Sequence, residues 1–143
     1  MTLYLDTSSA IKLYVLEAGS DVVQALVGDA GLVATSSITY AETRAALARL
    51  RRDRALSART FTSAKREFEQ QWPSFVKLDA TDALCRTAGE LAERYRLRGF
   101  DSVHLATFAE VARRAGPRET RFSSFDDRLN QAAQRLGPCR SDR

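Results

Sequence analysis

An α/β fold with a mostly parallel sheet is what this 143-residue sequence predicts, and three observations predict it. Short apolar runs of strand length alternate with longer stretches whose apolar residues recur at helical spacing. Acidic residues stand just after the strand-like runs or at the mouths of the helices that follow them, as in Leu3-Tyr4-Leu5-Asp6 and Phe122-Ser123-Ser124-Phe125-Asp126. The composition, 44% hydrophobic and 28% charged, is that of an ordinary globular domain, and the length suits one domain with a real core.

The elements follow in order. Leu3-Tyr4-Leu5 reads as the first strand, and Asp6-Thr7-Ser8-Ser9 as turn-and-cap chemistry. A helical pattern covers Ala10 to Leu16. Gly19-Ser20 restarts the chain into a second helix, where Val22, Val23, Leu26 and Val27 share a face. Leu32-Val33-Ala34-Thr35 is the second strand. Thr39 opens a third helix that runs from Tyr40 to about Arg54. A fourth runs from Ala58 to Trp72, with Phe61, Ala64, Phe68 and Trp72 on its apolar side, and Pro73 ends it. Phe75 to Leu78 is the third strand. Helices over Thr81–Leu97 and Asp101–Ala115 come next, and Gly116-Pro117 stops the second of them. Thr120 to Ser124 is the fourth strand and Asp126 to Leu136 the last helix. No repeat, linker or low-complexity segment interrupts this order.

Several function classes drop out. No apolar run approaches the roughly 20 residues of a membrane span. The start, Met1-Thr2-Leu3-Tyr4-Leu5, has no basic segment and no cleavage signature, which argues against a secretory signal. Cys85 and Cys139 lie far apart without CxxC spacing, so reduced thiols in a cytoplasmic protein are the expectation. With one histidine, they also make a poor zinc set.

The net charge of +4 is unevenly spread. Residues 1–43 hold a single base, Lys12, against five acids, whereas residues 44–66 hold eight bases against Asp53 alone. An acidic pocket beside a basic stretch suits a nuclease, with Arg44, Arg49, Arg51 and Arg52 as candidate contacts to a nucleic-acid backbone. Arginine-rich helices are also common solvated faces.

Four acids carry the chemistry: Asp6, Glu42, Asp101 and Asp126. In an open parallel sheet, ligands bind beyond the carboxyl ends of the strands, where these acids would meet. Four carboxylates in one pocket repel one another unless protonated or neutralised by a cation. Mg²⁺ or Mn²⁺ is the natural remedy, which points to a metal-dependent enzyme acting on phosphate. Each acid also has a purely structural reading. Asp6, Asp101 and Asp126 precede helices and can be N-caps, and Thr39-x-x-Glu42 matches a capping box. Asp127 adjoins Asp126 and is expected to face solvent. His104, one helical turn beyond Asp101, has two readings, a place near the pocket and, favoured over it, a packed or hydrogen-bonded helix histidine; Glu17 and Glu110 read as surface acids.

The ordered set Leu5-Asp6-Thr7-Ser8-Ser9-Ala10, Tyr40-Ala41-Glu42, Asp101-Ser102-Val103-His104-Leu105-Ala106-Thr107 and Ser124-Phe125-Asp126-Asp127-Arg128-Leu129 resembles a PIN-domain ribonuclease of the VapC toxin family. The resemblance covers essentially the whole chain. It implies a single PIN domain over residues 1–143, with a three-layer α/β/α PIN-like fold and a mostly parallel four- to five-stranded sheet. It implies that Asp6, Glu42, Asp101 and Asp126 bind Mg²⁺ or Mn²⁺ and catalyse RNA cleavage, with Thr7 or Ser8, and Ser124, in support. It also implies a small VapB-like antitoxin that blocks the acidic groove, and a homodimer. One departure is the polar ending Gly137-Pro138-Cys139-Arg140-Ser141-Asp142-Arg143, which leaves a fifth strand short, irregular or absent.

Three competitors are weighed. A receiver-like signalling domain wants paired acids after the first strand and a late lysine, yet Thr7 follows Asp6 and no lysine follows Lys77. An aspartyl phosphatase wants a second Asp where Ser8 stands. A catalytically silent PIN-like module that binds RNA or protein is disfavoured by the intact acid set.

Overall fold

β1 (Thr2–Leu5) lies inside the sheet because its residues are apolar on both faces: Leu3, Tyr4 and Leu5 are all buried. The computed structural model describes residues 1–137. The question of a fifth strand falls on residues 138–143 and so lies outside the described residues. β1 pairs in parallel with β2 (Leu32–Ser36) on one side and with β4 (Thr120–Ser123) on the other; β3 (Val76–Leu78) pairs with β2. The order is β3-β2-β1-β4, with Tyr4 opposite Ala34 and Phe122. The chain therefore steps outward from β1 through β2 to β3, then returns to β1's other flank. The switch point lies between β1 and β4, where open α/β sheets bind their ligands.

Alternation along β1 sends its side chains to two layers. Leu3 and Leu5 pack with Val23 and Leu26 of α2 (Ser20–Asp29). Tyr4 and Ala34 pack with Phe108 and Val111 of α6 (Gly99–Ala115) on the opposite face. α7 (Asp127–Leu136) packs on α6 through Leu105, Leu129 and Ala132, and α5 (Asp82–Tyr95) through Ala88, Val103 and Ala106. A separate core joins α3 (Ile38–Arg52) to α4 (Ala58–Gln71): Leu47, Ala64 and Phe68 close on Tyr14 and Val15. Phe61 and Trp72 pack against this core, as the helical spacing of the aromatics implies.

Several boundaries move by one to three residues, and two of the moves matter for the site. The first helix starts at Thr7 rather than Ala10, because Asp6 caps it through the Ser9 N–H. This α1 (Thr7–Ala10) then tightens into a 3₁₀ turn over Ile11–Leu13. The hydroxyl run taken for a turn is thus helical. α6 starts two residues early, at Gly99, so Asp101 is its third residue and not its cap. α4 ends at Gln71, one residue before Trp72-Pro73-Ser74 forms a 3₁₀ turn.

Candidate active site

Where β1 and β4 end side by side, one carboxylate ties them together. Asp6 Oδ1 accepts hydrogen bonds from the Ser9 N–H at 3.0 Å and the Ser8 hydroxyl at 2.7 Å. Its Oδ2 accepts from the Ser124 hydroxyl at 2.6 Å, across 118 residues of chain. The same hydroxyls also accept: Ser8 Oγ from the Phe125 N–H at 2.9 Å, and Ser124 Oγ from the Asp126 N–H at 3.0 Å. Asp6 is only 4% exposed. Its burial pushes the carboxyl up from the ordinary aspartate value, outweighing the bonds from Ser124, Ser8 and Ser9 that favour the charged form. Capping and site membership coexist here.

Glu42 reaches the same end of the sheet from the first turns of α3. Thr7 Oγ1 donates to its Oε1 at 2.5 Å, and His104 Nε2 lies 2.7 Å from the same oxygen. The other ring nitrogen, His104 Nδ1, is 2.9 Å from the Tyr4 hydroxyl. A carboxylate only accepts, so Nε2 carries the proton; in the neutral ring Nδ1 then accepts from the Tyr4 O–H. Burial acts against the Glu42 charge, but the hydrogen bonds from His104 and Thr7 prevail and hold its carboxyl below the ordinary value. The capping-box reading fails: Thr39 is fully buried inside α3 with its hydroxyl 2.7 Å from that of Thr35, and Glu42 points to Thr7 and His104 instead.

Asp101 and Asp126 are barer. Among the described residues no side chain or backbone N–H bonds the Asp101 carboxylate, and its N-cap reading falls with the early start of α6. Burial, and then repulsion from Asp126, push its carboxyl up; His104 and Arg98 pull the other way, and Asp6 adds further repulsion. Asp126 caps α7, with Oδ1 accepting from the Leu129 N–H at 2.8 Å. Asp127 is exposed, as expected. Glu17 pairs with Lys12, and Glu110 with Arg113 and Arg114, away from this cluster.

A cavity of about 550 Å³ opens against this wall, lined by Glu42, Arg98, Gly99, Phe100, Asp101 and Val103. A more apolar cavity of about 600 Å³, bordered by Phe108, Phe122, Ala133 and Leu136, holds none of the four acids. The donor set suits a hard divalent cation: every candidate ligand is a carboxylate oxygen, and mutual repulsion is already expressed in Asp101. Among the described residues, no three acids, histidines or cysteines stand close enough together to grip an ion as placed.

The basic candidates divide. Arg44 Nη1 bonds both the Tyr40 hydroxyl and Glu69 Oε1 at 2.7 Å, so it braces α3 against α4. Arg49 sits 3.7 Å from Asp53 at the surface, and Arg51, itself exposed, bonds the carbonyl of buried Leu56 at 3.4 Å. Arg52 is exposed. Arg49, Arg51 and Arg52 lie in the last turn of α3, while Glu42 lies near its start; ten residues of helix span about 15 Å. Sequence reasoning missed the chain from Tyr4 through His104 to Glu42. Strand alternation held a signal, since Tyr4 and Asp6 fall on one face of β1.

The sequence profile of the PIN domain matches residues 3–134. The chain belongs to the PIN domain family. Two Mycobacterium tuberculosis proteins of this kind, ribonuclease VapC45 and ribonuclease VapC49, are each 34% identical to it over 96% of its length and 92% of their own. Two solved structures share the PIN fold at 20% identity. Mycobacterium tuberculosis VapC20, a Sarcin-Ricin loop cleaving toxin, superposes with a TM-score of 0.65 over 91% of this chain and 94% of its own. FitAcB from Neisseria gonorrhoeae superposes with a TM-score of 0.61 over 92% and 93%. The parallel four-stranded sheet between helical layers is thus the PIN architecture. No described helix of this PIN domain is long and apolar enough to cross a membrane.

Proposed function

We propose that this PIN domain is a ribonuclease that hydrolyses RNA phosphodiester bonds with the help of Mg²⁺ or Mn²⁺, as the toxin of a toxin–antitoxin pair. One observation carries the reading. A buried carboxylate, Asp6, is immobilised at the switch point of a PIN sheet, with three further acids from distant segments on the same rim. Similarity to two ribonucleases along nearly the whole chain supports the choice of RNA.

Asp6, Glu42, Asp101 and Asp126 would hold the ion. When bound, a hard divalent cation makes water more acidic and offsets charge on the phosphate oxygens. The rest falls to the chain itself. Ser8, Ser9 and Ser124 keep both oxygens of Asp6 oriented, so it needs no reorganisation during reaction. Thr7 and His104 take up one oxygen of Glu42 and turn the carboxylate as a unit. Asp101, without a hydrogen-bond donor among the described residues and raised by burial and by Asp126, stands to gain from incoming positive charge. The exposed arginines late in α3 would hold the RNA backbone away from the cut. An antitoxin would place a cationic side chain among the acids and compete with the ion. The family resemblance adds a homodimer and a cytoplasmic place of action.

The test is cleavage of single-stranded RNA by the purified protein with Mn²⁺. Asp6→Asn should lower the rate by roughly 10³-fold, the scale seen when a preorganised charge-stabilising group is lost. Equal cleavage by wild type and Asp6→Asn would overturn the assignment. RNA binding without cleavage in the wild type would leave a silent module instead.

A further inference from the structure

We propose that Phe100 and Phe125 are base-stacking platforms, holding unpaired nucleotides beside the phosphate that is presented to the acids; the inference rests on the ribonuclease reading. Among the described residues these are the exposed aromatics, at 65% and 44%, while every other Phe, Tyr and Trp is buried or half-buried. Both stand immediately before a site acid, Phe100 before Asp101 and Phe125 before Asp126. Each ring is therefore carried by the same backbone that places a carboxylate.

Phe125 is seated. Its N–H donates to Ser8 Oγ at 2.9 Å, and Ser8 in turn holds Asp6. Its ring lies over Gly19 so closely that a Cβ there would come within 2.5 Å of the ring edge; Gly19 also has φ +92°, which other residues rarely adopt. The Lys12 ammonium sits 4.4 Å from the ring centroid, itself fixed by Glu17 at 2.9 Å and the Ala18 carbonyl at 2.8 Å. A cation against the ring holds it in place, and the residue still keeps 44% of its surface exposed. Phe100, on the first turn of α6, borders the cavity of about 550 Å³ together with Glu42, Asp101 and Arg98. Phe100 thus stands beside Glu42 and Asp101, and Phe125 beside Asp126 and the Ser8–Asp6 pair.

Two exposed rings beside the acids offer apolar faces to a ligand. A single-stranded nucleic acid alternates charged phosphates with flat bases, and each part finds its match here. The acids and their cation take the scissile phosphate, Arg98 can take a neighbour, and the rings take bases. A duplex keeps its base faces stacked internally, so the rings favour unpaired strands.

The experiment uses the full chain as Asp101→Asn, so that RNA is bound but not cut, with a single-stranded oligoribonucleotide carrying 2-aminopurine. Anisotropy reads affinity, and quenching of 2-aminopurine reads stacking. In this background Phe100→Leu and Phe125→Leu should each weaken binding by about 5- to 100-fold and reduce the quenching, the scale of one lost base–aromatic contact. Phe100→Trp and Phe125→Trp should retain both. Binding of the same sequence as a duplex should not change. Leucine variants that bind and quench like their parent overturn the proposal, and so does equal weakening towards the duplex or towards a protein inhibitor alone. Unchanged leucine variants beside an active wild-type nuclease would sink the stacking role and leave the ribonuclease reading standing. A wild type that neither binds nor cuts RNA overturns both.

Discussion

The two walls of the acidic cluster are built on opposite plans. On one, Asp6 and Glu42 are embedded in hydrogen bonds from Ser8, Ser9, Ser124, Thr7 and His104, and His104 is backed by Tyr4. On the other, Asp101 has no hydrogen-bond donor among the described residues and Asp126 has only the Leu129 N–H. The difference teaches how a pocket can be rigid and still hungry for charge. Donors fix direction on the first wall. On the second, burial and then repulsion from Asp126 raise Asp101, with His104 and Arg98 offsetting only part of it. Asp6, fixed by donors and still raised by its burial, carries both properties at once.

The largest effect should come from dismantling the fixed wall behind its carboxylates. His104→Ala strands the buried Tyr4 hydroxyl and removes one partner of Glu42. Cleavage should fall about 10- to 100-fold, as for other residues that orient metal ligands. Stability should fall by about 1–3 kcal/mol, the cost of leaving a buried polar group unpaired. His104→Gln, which keeps a side-chain donor, should recover part of the activity. Chemical denaturation and single-turnover kinetics on both variants separate the two effects, and full activity in His104→Ala would erase the distinction between the walls.

A second test touches neither wall. Replacing Arg49, Arg51 and Arg52 with Ser should leave metal binding intact while lowering the salt dependence of RNA binding by up to about 3 in log–log slope, one for each lost phosphate contact. Arg44→Ser belongs to another class, because Arg44 braces Tyr40 and Glu69; it should perturb stability before RNA affinity. An unchanged slope in the triple variant would return those arginines to solvation.

The smallest effect should appear on the bare wall without metal. Asp6 and Asp101 have raised folded-state values, so between the ordinary aspartate value of about 3.9 and those raised values the native state holds more protons than the unfolded one. Their contribution therefore becomes less favourable as pH rises through that window. Glu42 acts with the opposite sign: its contribution is present above the ordinary glutamate value and is lost as pH falls through its lowered one. Asp101→Asn should raise the metal-free Tm by a few degrees near neutral pH and flatten the decline above pH about 4. Mn²⁺ should raise the wild-type Tm more than that of the variant. Calorimetry showing a lower Tm for metal-free Asp101→Asn would mean that this carboxylate is a structural support after all.

Much of this PIN domain was legible in the order of its residues. Short apolar runs and helical spacing, with Pro73 and Gly116 as stops, mark the four strands and the longer helices of the described chain to within a few residues. Asp6 and Asp126 could be placed at strand ends because local pattern alone puts them there. The hydroxyl run Thr7-Ser8-Ser9 was harder. Its residues favour turns and caps in isolation, and only the Asp6 cap with its partners across the sheet draws them into a helix.

What the amino-acid sequence determined by itself was the kind and order of elements and the candidate acids, because periodicity, capping and turn chemistry act over a few residues. Only tertiary structure decided what each acid touches. Glu42 was open between a capping box and the site until α1 brought Thr7 to it across 35 residues and α6 brought His104 across 62. Asp101 loses its cap reading because its helix starts at Gly99, two residues earlier. Such partners are set by the parallel crossovers that bring β1 and β4 together, and no local preference encodes a hydrogen bond between residues 118 apart.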